Sequence, residues 1–109
     1  MNEFTTMLKG VLQGIILQKI REGETYGYEI TKYLTDLGFE DIAEGTVYTI
    51  LLRLEKKGFV NINKKKSDLG PTRKFNTLSA AGEEELMSFW ERWSFIEEKM
   101  NEIKEKRHV

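Results

Sequence analysis

The sequence has no cysteine and, among its 109 residues, a single proline (Pro71) and a single histidine (His108). Without cysteine, neither a disulfide framework nor a thiolate metal site can form. His108 lies in a charged tail with no base, nucleophile or metal partner in the pattern around it. Glu83, Glu84 and Glu85 are consecutive and splay around a helix instead of converging on a site. No glycine-rich loop of the kind that cradles phosphate is present. These absences argue against an enzyme, a metal site and a bound cofactor. No apolar run approaches the length of a membrane span, and the charged, amphipathic start is unlike a signal peptide. The expectation is a soluble, cytoplasmic protein without a membrane partner.

What is present is enough apolar material for a core: 39% of residues are hydrophobic and 32% charged, which argues against disorder. A chain this short buries a modest fraction of its surface, so a second copy is a natural further source of stability. The formal net charge of −1 conceals an uneven distribution. Residues 1–52 carry four basic and eight acidic side chains, and residues 75–109 carry five and eight. Residues 53–74 carry eight basic side chains (Arg53, Lys56, Lys57, Lys64, Lys65, Lys66, Arg73 and Lys74) against Glu55 and Asp68, a local +6. Phosphates respond to the field within about 8–10 Å and not to the total. One basic face on an acidic protein is the relevant feature.

Apolar residues at Phe4, Leu8, Val11, Leu12, Ile15, Ile16 and Ile20 have helical spacing and predict one helix from Phe4 to about Arg21. Thr25 is placed to cap a second helix that Gly38 stops. Val47, Ile50, Leu51 and Leu54 fall at i, i+3, i+4 and i+7 and predict a third helix, from about Glu44 to Lys57, with Gly58 as its stop. Phe59–Lys66 and Thr72–Leu78 read as two strands joined by a turn at Ser67-Asp68-Leu69-Gly70-Pro71. Ser79 caps a last helix carrying a heptad-like seam, with Leu86, Trp93 and Met100 at one position and Phe89, Ile96 and Ile103 at the other. Helix, helix, helix, strand, strand, helix predicts a mainly α (α+β) winged helix-turn-helix with a C-terminal dimerisation helix. Residues 1–78 would form the DNA-binding domain and residues 79–109 the dimerisation helix.

In such modules the third helix enters the major groove and the hairpin lies beside it. Thr46, Thr49, Arg53 and Lys56 occupy the open face of that helix, and the hairpin brings Lys64, Lys65, Lys66, Arg73 and Lys74. These are the candidate DNA-binding residues, with double-stranded DNA as the partner. A dimer would read a pseudo-palindrome with half-sites about one helical turn, roughly 10 bp, apart. Two blander readings stand beside this one: solvated lysines on a surface hairpin, and a winged helix that binds protein instead of DNA. An interaction module has no need of a +6 patch on helix and hairpin together.

The segments Leu8-Lys9-Gly10, Tyr26-Gly27-Tyr28-Glu29-Ile30, Thr46-Val47-Tyr48-Thr49-Ile50-Leu51, Arg53-Leu54-Glu55-Lys56-Lys57-Gly58, Arg73-Lys74-Phe75 and Leu78-Ser79-Ala80-Ala81-Gly82 resemble the PadR family of bacterial transcriptional regulators. The single C-terminal helix resembles the family's small branch, which includes multidrug-sensing repressors. The resemblance implies a homodimer held by its first and last helices, and a phosphate-contact role for Tyr26 and Tyr48, whose rings serve equally well as buried packing. Asn76 departs from the pattern, where a second aromatic is common, and Thr49 stands where proline is common.

Trp93-Ser94 matches a context in which a tryptophan projects into a central cavity of the dimer and sandwiches a flat aromatic ligand. On that resemblance Trp93, Met7, Gly10, Gly14 and Ile96 form a candidate ligand site, with a planar aromatic small molecule as the partner. Gly10 and Gly14 would leave the space. The same aromatics equally suit a dry dimer core, so pocket and core both stay open.

Overall fold

In a computed structural model, residues 3–66 and 70–107 are described and form five helices and two strands. The turn residues Ser67, Asp68 and Leu69 lie outside the described residues, as do His108 and the side chain of Phe4. The elements are α1 (Glu3–Leu8), α2 (Leu12–Arg21), α3 (Gly27–Asp36), α4 (Glu44–Lys56), β1 (Val60–Lys65), β2 (Arg73–Leu78) and α5 (Ala80–Arg107). The chain folds as a winged helix-turn-helix with a long C-terminal helix.

The single first helix expected from apolar spacing is two. The backbone tightens at Lys9–Val11, where the Val11 N–H donates to Leu8 O at 2.9 Å in place of the carbonyl four residues back. Gly10 sits at the break, and glycine costs about 1 kcal/mol relative to alanine inside a helix. Periodicity carries through such a break and therefore does not show it.

Thr25 does not cap α3; Tyr26 takes the N-cap position in extended conformation. Thr25 is instead a strand residue. Its N–H donates to Asn76 O at 3.2 Å and the Asn76 N–H donates to Thr25 O at 2.7 Å, laying one residue of strand beside β2. The Thr25 hydroxyl donates to Glu29 Oε1 at 2.9 Å.

Both α3 and α4 end in the same way. Phe39 N–H donates to Leu34 O and Phe59 N–H donates to Leu54 O, six-residue closures that require the intervening residue to be left-handed. Gly38 and Gly58 supply it, at φ 110° and 76°.

The core gathers Leu12, Ile16, Leu17 and Ile20 of α2 with Ile30, Leu34, Val47, Leu54 and Val60. Ser79 caps α5 as its sequence position predicts, its hydroxyl accepting the Gly82 N–H at 3.0 Å. The first turns of α5 then lie on α2, and from Ser94 to Lys106 every side chain is exposed. That exposed stretch stands away from the core, and the molecule extends 61 Å along its longest axis.

Candidate nucleic-acid interface

The four apolar residues of α4 bury as the spacing requires: Val47, Ile50, Leu51 and Leu54 all face inward. This turns Thr49, Arg53 and Lys56 to solvent and leaves Thr46 half-buried beside them. Thr49 donates its hydroxyl proton to Gly45 O at 2.9 Å, so toward solvent it offers lone pairs. An acceptor there suits a base-edge amino group better than a phosphate. Arg53 and Lys56, farther along the same face, supply the cations.

The wing is an antiparallel pair in which Val60 faces Leu78 and Lys65 faces Arg73. Two neighbouring positions place cation against cation, Lys64↔Lys74 and Lys65↔Arg73. Like charges directly opposite destabilise a strand pair. The structure offsets this with carboxylates from outside the hairpin: Lys65 pairs with Glu24, and Lys74 with Glu55 at 2.7 Å. The Lys65 ammonium also lies 4.7 Å from the Phe75 ring centroid. Because both pairs are exposed, each contributes no more than about 1 kcal/mol. A polyanion displaces them cheaply. Among the described residues Lys64, Lys66, Arg53 and Lys56 have no ion pair.

Two tyrosines join wing to helices. Tyr26, half-buried, carries the Arg73 guanidinium 4.8 Å over its ring and packs at 4.9 Å against Phe75. The ring is thus a platform for a wing cation, the packing alternative to direct phosphate contact. Tyr48 rests on Gly27, where even a Cβ would come within 2.7 Å of its ring, so α3 must begin with glycine for α4 to approach. Burial and the Glu44 carboxylate, which accepts a hydrogen bond from the Tyr48 hydroxyl, raise its pKa above the ordinary 10.0. At neutral pH it is a phenol.

The fold therefore brings the predicted residues into two sets, Thr46, Thr49, Arg53 and Lys56 on α4 and Lys64, Lys65, Lys66, Arg73 and Lys74 on the wing, with Tyr26 and Tyr48 between them. Glu24 and Glu55 were invisible in the sequence, because they lie 41 and 19 residues from their lysines with no spacing rule to connect them.

The C-terminal seam and the ligand set need correction. Leu86 and Phe89 are buried in the core of their own chain, so they are not exposed seam residues; Ile96, Met100 and Ile103 are. Gly14 leaves no space, because the Phe89 ring fills it, 2.3 Å from where a Cβ would be. A small cavity of about 140 Å³ beside Gly10 and Gly14 is walled by Phe89 and Arg92, not by Trp93. Met7 is 81% exposed on α1, and Trp93 is half-buried where α5 leaves the core. Within one protomer these residues do not form a site. Among the described residues no acidic, histidine or cysteine cluster suits a metal, and no helix is long and apolar enough to cross a membrane.

Comparison with known proteins agrees with this geometry. Residues 16–88 match the model of the transcriptional regulator PadR-like family. The chain is similar to a PadR-like transcriptional regulator from Bacillus cereus, with a TM-score of 0.80, 39% identity, and 90% of this chain and 95% of that one covered. A Streptococcus transcriptional regulator gives a TM-score of 0.81 at 40% identity over 90% and 96% of the two chains. Bacillus subtilis PadR, solved in complex with operator DNA, gives 0.68 at 30% identity over 76% of this chain and 48% of that one. The open face of α4, the cationic wing beside it and these likenesses agree: the chain belongs to the PadR-like family of DNA-binding transcriptional regulators, which are not enzymes.

Proposed function

We propose that the protein is a cytoplasmic, homodimeric repressor that reads a pseudo-palindromic operator with α4 and clamps the flanking backbone with its wing. The observation that carries this is the opposition of Lys64 to Lys74 and Lys65 to Arg73 in a two-stranded hairpin next to the open face of α4. Such pairing costs stability in the free protein and is compensated when phosphates lie along the hairpin. Residues 1–78 contact DNA in this reading. Residues 79–109 supply a single dimerisation helix, whose exposed Ile96, Met100 and Ile103 are covered by the second copy, with Leu86 and Phe89 supporting that face from beneath. Arg53 reaches a base edge, Thr46, Thr49 and Lys56 lie along the groove, and Tyr26 and Tyr48 hold the wing in register with α4.

The test is duplex-DNA binding across a salt series. A dimer neutralising about six to ten phosphates loses about 10³–10⁵ in affinity between roughly 50 and 200 mM salt. Affinity that does not fall with salt would point to a protein partner instead.

In the same reading the protein is of the multidrug-sensing type, releasing its operator when a flat aromatic molecule is sandwiched between the two Trp93 rings. Trp93 is half-buried at the point where α5 passes from its own core to the exposed apolar stretch, so a two-fold axis there sets the rings face to face. Gly10, Met7 and Ile96 would border the ligand. Planar dyes should quench tryptophan fluorescence in the native protein and not in Trp93→Ala. Trp90, tied by its indole N–H to Gln18 at 2.9 Å, serves as the internal control.

A further inference from the structure

The inward face of α4 is complete without Leu52: Val47, Ile50, Leu51 and Leu54 fill it, and Leu52 is left 53% exposed. It stands three residues after Thr49 and four before Lys56, both exposed, so these side chains share the open face of the helix. Tyr48, one turn earlier, is 46% exposed and extends the apolar strip. Its ring is seated against Gly27, which holds that end of the strip in place. Both side chains line a cavity of about 250 Å³ between α4 and the wing, so Leu52 has free space beside it. An apolar strip thus runs through a face whose neighbouring positions carry Thr49, Arg53 and Lys56.

A single exposed leucine on a protein surface needs no explanation. This one lies on the face that enters the major groove in the proposed function. Binding there removes water from Leu52 and from whatever base edge lies opposite. Leucine neither donates nor accepts a hydrogen bond. Against the amino, carbonyl or ring-nitrogen groups of a base it would leave desolvated polar atoms unpaired, which costs affinity. The 5-methyl group of thymine is the major-groove feature that an apolar side chain meets without that loss.

We propose that Leu52 is a specificity-determining residue that reads the 5-methyl group of one thymine in each half-site, with the Tyr48 ring as the second wall of the contact. This rests on the DNA reading and deepens it. Thr49, whose hydroxyl proton is held by Gly45 O, and Arg53 supply polar groups on the neighbouring ridge. Leu52 adds a contact without charge, so it contributes to the choice of sequence and not to the salt dependence of affinity.

The test is uracil scanning of the tightest duplex that the native protein selects from a random library. Uracil differs from thymine only in lacking the 5-methyl group, so each exchange removes one methyl and no hydrogen bond. At one thymine per half-site the exchange should weaken binding about fourfold, and at both half-sites together about 15-fold. The salt slope should not change. Leu52→Ala should bind the thymine and uracil duplexes equally. A variant that binds neither duplex has lost its fold, and the scan of the native protein then decides alone. One methyl-sensitive thymine per half-site upholds the proposal, and none overturns it. A selected duplex with no fixed thymine overturns it as well. So does a uracil effect that persists undiminished in Leu52→Ala, which would transfer the methyl contact to another residue. These three results leave DNA binding intact. If no duplex is enriched at all, the DNA reading fails first and the role of Leu52 falls with it.

Discussion

The outer end of the wing, with Lys64, Lys65, Arg73 and Lys74, and the distal half of α5 both stand clear of the core, and each is incomplete in an opposite chemical sense. The wing opposes cation to cation at two successive pairs and moderates this with exposed carboxylates of other elements. The α5 stretch beyond Ser94 carries charged side chains freely yet leaves Phe95, Ile96, Met100 and Ile103 about half exposed or more. A hairpin of like charges gains from a polyanion, and an apolar strip on a helix gains from another apolar strip. The proposed reading follows this contrast: DNA on one surface, a second copy of the chain on the other.

The largest effect should come from placing charge on the apolar strip. Met100→Glu is expected to weaken self-association by about 100-fold or more, since a carboxylate would be desolvated on both sides of a two-fold seam. Operator affinity should fall in step, by about 10²–10⁴, because two half-sites would no longer be bound as one unit. Sedimentation and gel shift on the same sample check both. A variant that remains dimeric would move the interface elsewhere, and one that is monomeric but binds unimpaired would remove avidity from the account.

An intermediate effect separates the two DNA-facing sets. Arg53→Ala should cost about 1–3 kcal/mol on the operator and little on random duplex, the signature of a base contact. Lys64→Ala should weaken both alike and reduce the salt slope by about one. Identical losses on both DNAs would return Arg53 to the backbone-contact set. The smallest effect is expected at Glu55→Gln, which frees Lys74 from its carboxylate. Affinity should rise less than about threefold, in the range of an exposed ion pair. A loss instead would show that Glu55 positions Lys74 productively.

The comparison also explains what the sequence could show. Spacing within one helix was decisive: Val47, Ile50, Leu51 and Leu54 are buried as their period demands, which fixes the open face of α4 without knowledge of any neighbour. The Ser79 cap is equally local. Periodicity says that a face is covered and not by what. Leu86 and Phe89 lie on the heptad seam of α5, yet the core of the same chain covers them, and the Phe89 ring takes the room that Gly14 leaves. Thr25 has the composition of a helix cap, but its backbone is used by β2, 51 residues away. The break at Gly10 is hidden because apolar residues continue on either side of it. The carboxylates that hold Lys65 and Lys74 are tertiary neighbours, for which no sequence rule exists.

The most direct measurement is selection of bound sequences from a random duplex library by the purified protein, followed by footprinting of the winner. Paired wings and paired α4 helices predict a pseudo-palindrome whose half-sites are protected about 10 bp apart, on one face of the duplex. Enrichment of an asymmetric single site, or no enrichment above nonspecific binding, would contradict the account.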